Sequence, residues 1–300
     1  MTITKTVVVR TMKRTHIAAW IVACFVVFAW SINFVLAKHA LNQFDVGSFN
    51  FVRFSGMVAV GWFVLLATGG IRAIEPGDRL RLLIVAVVGF CGYVFGFSVG
   101  LHLTSAFSAS LLLALVPLWI IVLNSLIERR FPNTVSLAAL ALASAGVVTF
   151  VAARTSVSLG WGDLISLVVA GFYAGYLLLN RPLINRYPPF TLITYATTLA
   201  SLPVLALTMY SILGQDWSAI SSTGWFAMVW VIVGPVFVAW SVWNWVQRHL
   251  DTTRIAPLLF LVPVISGYAA WLLLDEPIQL GQVVGTAAVI GGLILSHRAN

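Results

Sequence analysis

The chain has 300 residues, of which 60% are hydrophobic and only 9% charged; its mean hydropathy is +1.00 and its formal net charge +8. A water-soluble domain carries about 25% charged residues, so this chain lacks the polar surface to fold in water and its main solvent is hydrocarbon. The excess of Lys and Arg collects at the ends of apolar runs, where membrane topology explains it, so no nucleic-acid partner is expected.

A basic tail, residues 1–16, precedes ten apolar runs: about 17–37, 46–68, 82–101, 103–127, 133–153, 163–180, 188–212, 223–247, 254–274 and 278–296. At 1.5 Å per residue, each is long enough to cross roughly 30 Å of hydrocarbon. The runs are continuously apolar instead of alternating, which predicts helices and not a barrel. Residues 82–127 are too many for one crossing, and His102 with Thr104 marks the expected tight turn between two. The core of the first run is too long for a cleaved signal peptide.

The basic residues set the orientation. With the N-terminus in the cytoplasm, 14 of the 17 Lys and Arg fall on the inner side, and only Lys38, Arg53 and Arg154 on the outer. This positive-inside bias predicts a multi-pass protein of the inner (cytoplasmic) membrane with both termini cytoplasmic.

Residues 103–150 return in diluted form at 250–295. Pro117 answers to Pro263, Glu128-Arg129-Arg130 with Pro132 to Asp275-Glu276 with Pro277, and Gly146 to Gly291, at offsets of 145 or 146 residues. Ala29-Trp30-Ser31-Ile32-Asn33 is echoed by Phe172-Tyr173-Ala174-Gly175-Tyr176, 143 residues on. These markers predict a duplication, with one five-helix repeat at 17–153 and a second at 154–297. Five crossings are odd, so the second copy enters from the opposite side. The expected fold class is an all-α integral membrane protein of ten transmembrane helices, arranged as two inverted five-helix repeats around a central cavity. Inverted repeats are typical of secondary transporters, whose substrate site lies near the midplane where the halves meet.

The chemistry-bearing residues are few. All nine carboxylates lie at or near helix ends, with Asp163 the deepest and read as a helix cap beside Gly162. Arg53 lies about two turns into the second span and either snorkels or packs on Asp45, or meets a substrate carboxylate. His102 reads as an interfacial turn residue, and the other four histidines are scattered at helix ends without metal-ligand spacing. Cys24 and Cys91 read as core thiols. No paired aspartates, nucleophile–histidine pair or phosphate-binding glycine loop occurs, so neither an enzyme nor a cofactor is expected.

Glycines every four residues, at Gly92, Gly96 and Gly100 and at Gly281 and Gly285, predict close helix contacts. Pro117 and Pro263 are expected inside their helices, each freeing a carbonyl and serving as a gating hinge. The mid-span aromatics Trp30, Tyr93, Phe97, Tyr173, Tyr176, Trp240 and Tyr268, with Asn33, Asn180 and Asn244, are the candidate lining of a substrate cavity with apolar walls and few polar groups.

The order and spacing of several motifs resemble the EamA-type ten-helix branch of the drug/metabolite transporter superfamily. They are Trp30-Ser31-Ile32-Asn33-Phe34, Arg53-Phe54, Thr104 to Ala109 leading to Pro117, Glu128, Gly162-Asp163, Ala256 to Pro263, Glu276 and Gly291-Gly292. The aromatic third span, Gly92-Tyr93-Val94-Phe95-Gly96-Phe97, is most similar to the YddG-type amino acid exporters of that branch. The resemblance implies export of amino acids, aromatic ones included, by rocking of the halves about the cavity, or export of another small metabolite or drug. The chain is expected to act as a monomer. One departure stands out: Glu128 follows Pro117 two residues sooner than Glu276 follows Pro263, which predicts a differently built joint in the first half.

Overall fold

The computed structural model describes residues 2–129, 131–153, 160–250 and 256–299, with side chains described except at 2–16, 241, 244, 247, 248, 256, 257, 298 and 299. The described chain is helical throughout, with no strand. We number the membrane-length helices α1 (Thr2–Leu41), α2 (Val46–Thr68), α3 (Pro76–Leu103), α4 (Ala106–Glu128), α5 (Thr134–Ala152), α6 (Trp161–Ile184), α7 (Pro189–Thr208), α8 (222–249), α9 (Val262–Leu274) and α10 (Leu280–Ala299). Among the described residues nine helices are apolar and long enough to cross a membrane, and the apolar stretch Leu258–Leu274 around α9 is shorter.

Local chemistry sets the boundaries. The Asp45 carboxylate accepts the N–H groups of Gly47 and Ser48 and starts α2, which ends on Gly69 in the left-handed region at φ +63°. Pro76 opens α3, where its missing N–H costs nothing. Thr104 is extended, as the expected tight turn requires, and the Ser105 hydroxyl caps α4 by accepting the N–H of Ser108. Asn133 and Ser221 cap α5 and α8 in the same way.

The prolines sit differently from expectation. The backbone of α4 breaks at Ala114–Leu115 and restarts at Val116, so Pro117 occupies the first turn of a new segment, Val116–Glu128. Pro263 likewise opens Val262–Leu274 after a 3-10 turn at Ala256–Leu261. A proline in a first turn loses no helix hydrogen bond, so the interruption precedes each proline. Twelve residues beyond each comes a left-handed residue, Arg129 at φ 52° and Asp275 at φ 54°. These are the only non-glycine residues with positive φ among those described. The two joints therefore begin alike, with a left-handed residue at the same distance from the proline, and differ in their glutamates: Glu128 precedes that residue and Glu276 follows it.

The halves are further matched at π-helical segments inside α3 (Val87–Phe95) and α8 (Gly234–Ala239), which begin 147 residues apart. The halves pack through antiparallel pairs: α1 with α8, α2 with α7, α3 with α6, α4 with α9 and α5 with α10. Glycine allows the closest approaches. A Cβ at Gly89, Gly92, Gly96 or Gly100 of α3 would lie 2.3–2.9 Å from Tyr176, Phe172, Val169 or Ser166 of α6. On α10, a Cβ at Gly285 would meet the Gly146 carbonyl of α5 at 2.6 Å. The chain is thus a two-repeat helical membrane protein.

Candidate functional site

Four flat rings from both halves meet at the centre of the bundle. Tyr93 stands in the π segment of α3, Tyr173 and Tyr176 share one face of α6, and Trp240 follows the π segment of α8. Tyr93 stacks on Tyr173 with centroids 4.4 Å apart, and Trp240 lies nearly parallel to Tyr176 at 5.5 Å and to Tyr173 at 6.3 Å. Each such ring pair is worth about 0.5–1.5 kcal/mol beyond burial. An extra residue in a helical turn shifts the side-chain register, and π segments recur at functional sites. Here Tyr93, inside one such segment, and Trp240, just after the other, stand 147 residues apart, the same offset as the segments themselves.

The stack continues toward the end of the bundle that carries Lys38. Phe97 lies 6.5 Å from Tyr93 and meets Phe34 of α1 edge-on at 5.4 Å. The Arg53 guanidinium of α2 sits over Phe97 at 5.7 Å and Phe49 at 6.0 Å. Arg53 neither snorkels nor packs on Asp45, whose carboxylate is taken up by the cap of α2. It is 3% exposed, donates to the Ser98 hydroxyl at 3.1 Å and the Val94 carbonyl at 3.4 Å, and leaves its Nε without a partner among the described residues. Among the described residues no carboxylate pairs with it.

Trp30 donates its indole N–H to the Pro235 carbonyl and packs on Trp243. One turn along α1, Asn33 is 7% exposed, with its amide oxygen unpartnered among the described residues. Asn180 donates to the Tyr176 hydroxyl at 3.2 Å. Asn244 lies on α8, and its side chain is outside the described residues. Tyr268 is the exception. It is 60% exposed and packs on Trp271 at the outer surface of α9, so it does not belong to the cluster. A uniformly apolar helix gives no sequence signal for which side faces lipid. Phe34 joins the cluster without having been marked as a candidate, because aromatics abound in apolar runs; Trp243 packs instead with Ala19, Ala23 and Val246.

A second convergence closes the Lys38 end. The Lys38 ammonium donates to the carbonyls of Leu101, His102 and Thr104, the C-terminal carbonyls of α3 and the turn after it, at 2.8–2.9 Å. The Glu276 carboxylate accepts the N–H groups of Ala106 and Phe107, the N-terminus of α4, at 2.9 and 3.4 Å. Asp163 accepts the Thr104 hydroxyl at 2.6 Å and the Gly160 N–H at 3.3 Å. Three charged side chains, from α1, α6 and the end of α9, thus grip one turn. Asp163 is not the N-cap expected beside Gly162: the cap is Gly160, and Asp163, the third residue of α6, reaches back to its N–H. The parts of Lys38 and Glu276 were not legible in sequence, because their partners are backbone groups far away in the chain.

The EamA-like transporter family matches the chain twice, over residues 17–152 and 160–298. The chain belongs to that family, with one domain in each half. An uncharacterized transporter of Archaeoglobus fulgidus is 25% identical over 93% of this chain and 98% of its own. A probable amino-acid metabolite efflux pump of Salmonella typhimurium is 24% identical, covering 91% and 93%. A probable terminal-alkyne amino-acid exporter of Streptantibioticus cattleyicolor is 24% identical, covering 94% of each chain. One solved crystal structure, 21% identical, superposes with a TM-score of 0.62 over 93% of this chain and 96% of that one, a likeness of fold.

Proposed function

We propose that this protein exports amino acids, aromatic ones among them, across the inner membrane by alternating access, as a monomer with both termini in the cytoplasm. The observation that carries this reading is the Tyr93–Tyr173–Tyr176–Trp240 stack. Its rings come from α3 in one half and from α6 and α8 in the other, so rocking the halves changes the spacing of the rings. Flat rings at the centre of the bundle hold an apolar or planar side chain by stacking, and the Arg53 guanidinium above them takes the substrate carboxylate. The breaks before Pro117 and Pro263 are the hinges. Two relatives named for amino-acid efflux and export support the substrate class.

Counter-flow of a panel of radiolabelled amino acids in proteoliposomes tests this. Accumulation of phenylalanine, tyrosine or leucine is the expected result. Tyr173→Ala should lower the initial rate at least about tenfold, since about 1.4 kcal/mol of lost stacking is a factor of ten. A wild-type protein that accumulates none of the panel removes the export reading, and an unchanged rate in folded Tyr173→Ala removes the stack from the site.

A further inference from the structure

The stack accounts for the substrate side chain, and two of the seven buried side-chain N and O atoms without a hydrogen-bond partner among the described residues, of opposite character, lie on the two helices beside its Phe97 end. The Nε of Arg53 and the amide oxygen of Asn33 both lack hydrogen bonds among the described residues, and both side chains are more than nine-tenths buried. A buried, unmatched donor or acceptor costs about 1–3 kcal/mol, more when charged, so a ligand that supplies the missing partner gains that amount at either group. They also lie at one level of the bundle. The Arg53 guanidinium sits over the Phe97 ring, and Phe97 packs on Phe34, the chain neighbour of Asn33. The ring stack begins one turn away, at Tyr93 on α3, a step of about 5.4 Å along the axis.

We infer that this level recognises a zwitterionic head group: the Arg53 guanidinium takes the α-carboxylate, the Asn33 amide oxygen takes the α-ammonium, and the substrate side chain points away from the Lys38 end onto the rings. This rests on the amino-acid export reading and adds polarity and orientation to it. In an α-amino acid the two charges share one carbon, so a cation and a neutral acceptor are needed at the same height, with the side chain a few ångströms along the axis. A carboxylate in place of Asn33 would neutralise Arg53 and close the site upon itself. A buried polar group that loses its partner also penalises the wrong ligand strongly, which is how such sites discriminate.

The test is competition against phenylalanine counter-flow by phenethylamine, which lacks the carboxylate, and by 3-phenylpropionate, which lacks the ammonium. In the wild type, each should compete at least about tenfold less well than unlabelled phenylalanine. Arg53→Gln should bring phenethylamine level with phenylalanine, and Asn33→Leu should do the same for 3-phenylpropionate. Arg53→Lys and Asn33→Gln keep the charge or the neutral acceptor and should preserve the corresponding preference, whereas Asn33→Asp should lose counter-flow. Should either truncating variant fail to fold, wild-type competition still decides: an equal effect of all three compounds overturns the inference. Amino-acid counter-flow without charge discrimination leaves the export reading standing and sinks the head-group site, whereas no amino-acid counter-flow at all sinks the export reading itself.

Discussion

Single residues set how close the helices come. On α10, a Cβ at Gly285 would lie 2.6 Å from both the Gly146 carbonyl and the Phe150 nitrogen of α5, whereas at Gly291 it would meet only Leu142, at 3.6 Å. Backbone cannot step aside as a side-chain tip can. Gly285→Ala should therefore cost about 1–3 kcal/mol by overpacking, and Gly291→Ala should stay within about 0.5 kcal/mol. Thermal unfolding of the purified protein in detergent checks the pair, and equal melting temperatures would mean that α5 and α10 are not in backbone contact. The glycine spacing was readable from sequence, since small residues at every fourth position have few other uses in hydrocarbon. The fate of Arg53 was not. A cation two turns into a span has the same sequence whether it snorkels or turns inward, and only the rings of Phe49 and Phe97 decide between them.

At the scale of elements, helix ends and helix breaks carry the departures from expectation. The N-terminus of α4 is capped from the other half of the chain, because Glu276 accepts its first N–H groups. A carboxylate in that position is worth about 0.5–2 kcal/mol to the helix. Glu276→Ala should lower stability by that amount and speed hydrogen exchange of the amides at Ala106 to Ala109, read by mass spectrometry, while α5 and α10 stay protected. Unchanged exchange at these amides would show that Glu276 does not hold the turn. The prolines were visible in sequence at their matching offsets, but not the restart of the helix before each of them. Nor were the π segments of α3 and α8 foreseeable, since an extra residue in a turn leaves no mark on composition. They matter because they place Tyr93 and Trp240 on opposite sides of one ring stack.

For the molecule as a whole, the inverted repeat makes a test of sidedness. The loop before α8 and the segment before α3 are separated by an odd number of crossings, α3 to α7. After replacement of Cys24 and Cys91, a cysteine at Ser218 and one at Gly77 should react with a membrane-impermeant thiol reagent from opposite faces, Ser218 from outside. Reaction of both from one face would contradict the antiparallel halves. The sequence by itself determined the solvent, the duplication and the family, because hydrocarbon demands long uninterrupted apolar runs and a copied unit keeps its prolines and glycines in register. Tertiary structure alone decided which of many aromatics face inward, which excluded Tyr268 and admitted Phe34, and which charges meet distant backbone. In a helix apolar on every side no periodic pattern marks the inner face, so only packing against the other half assigns it.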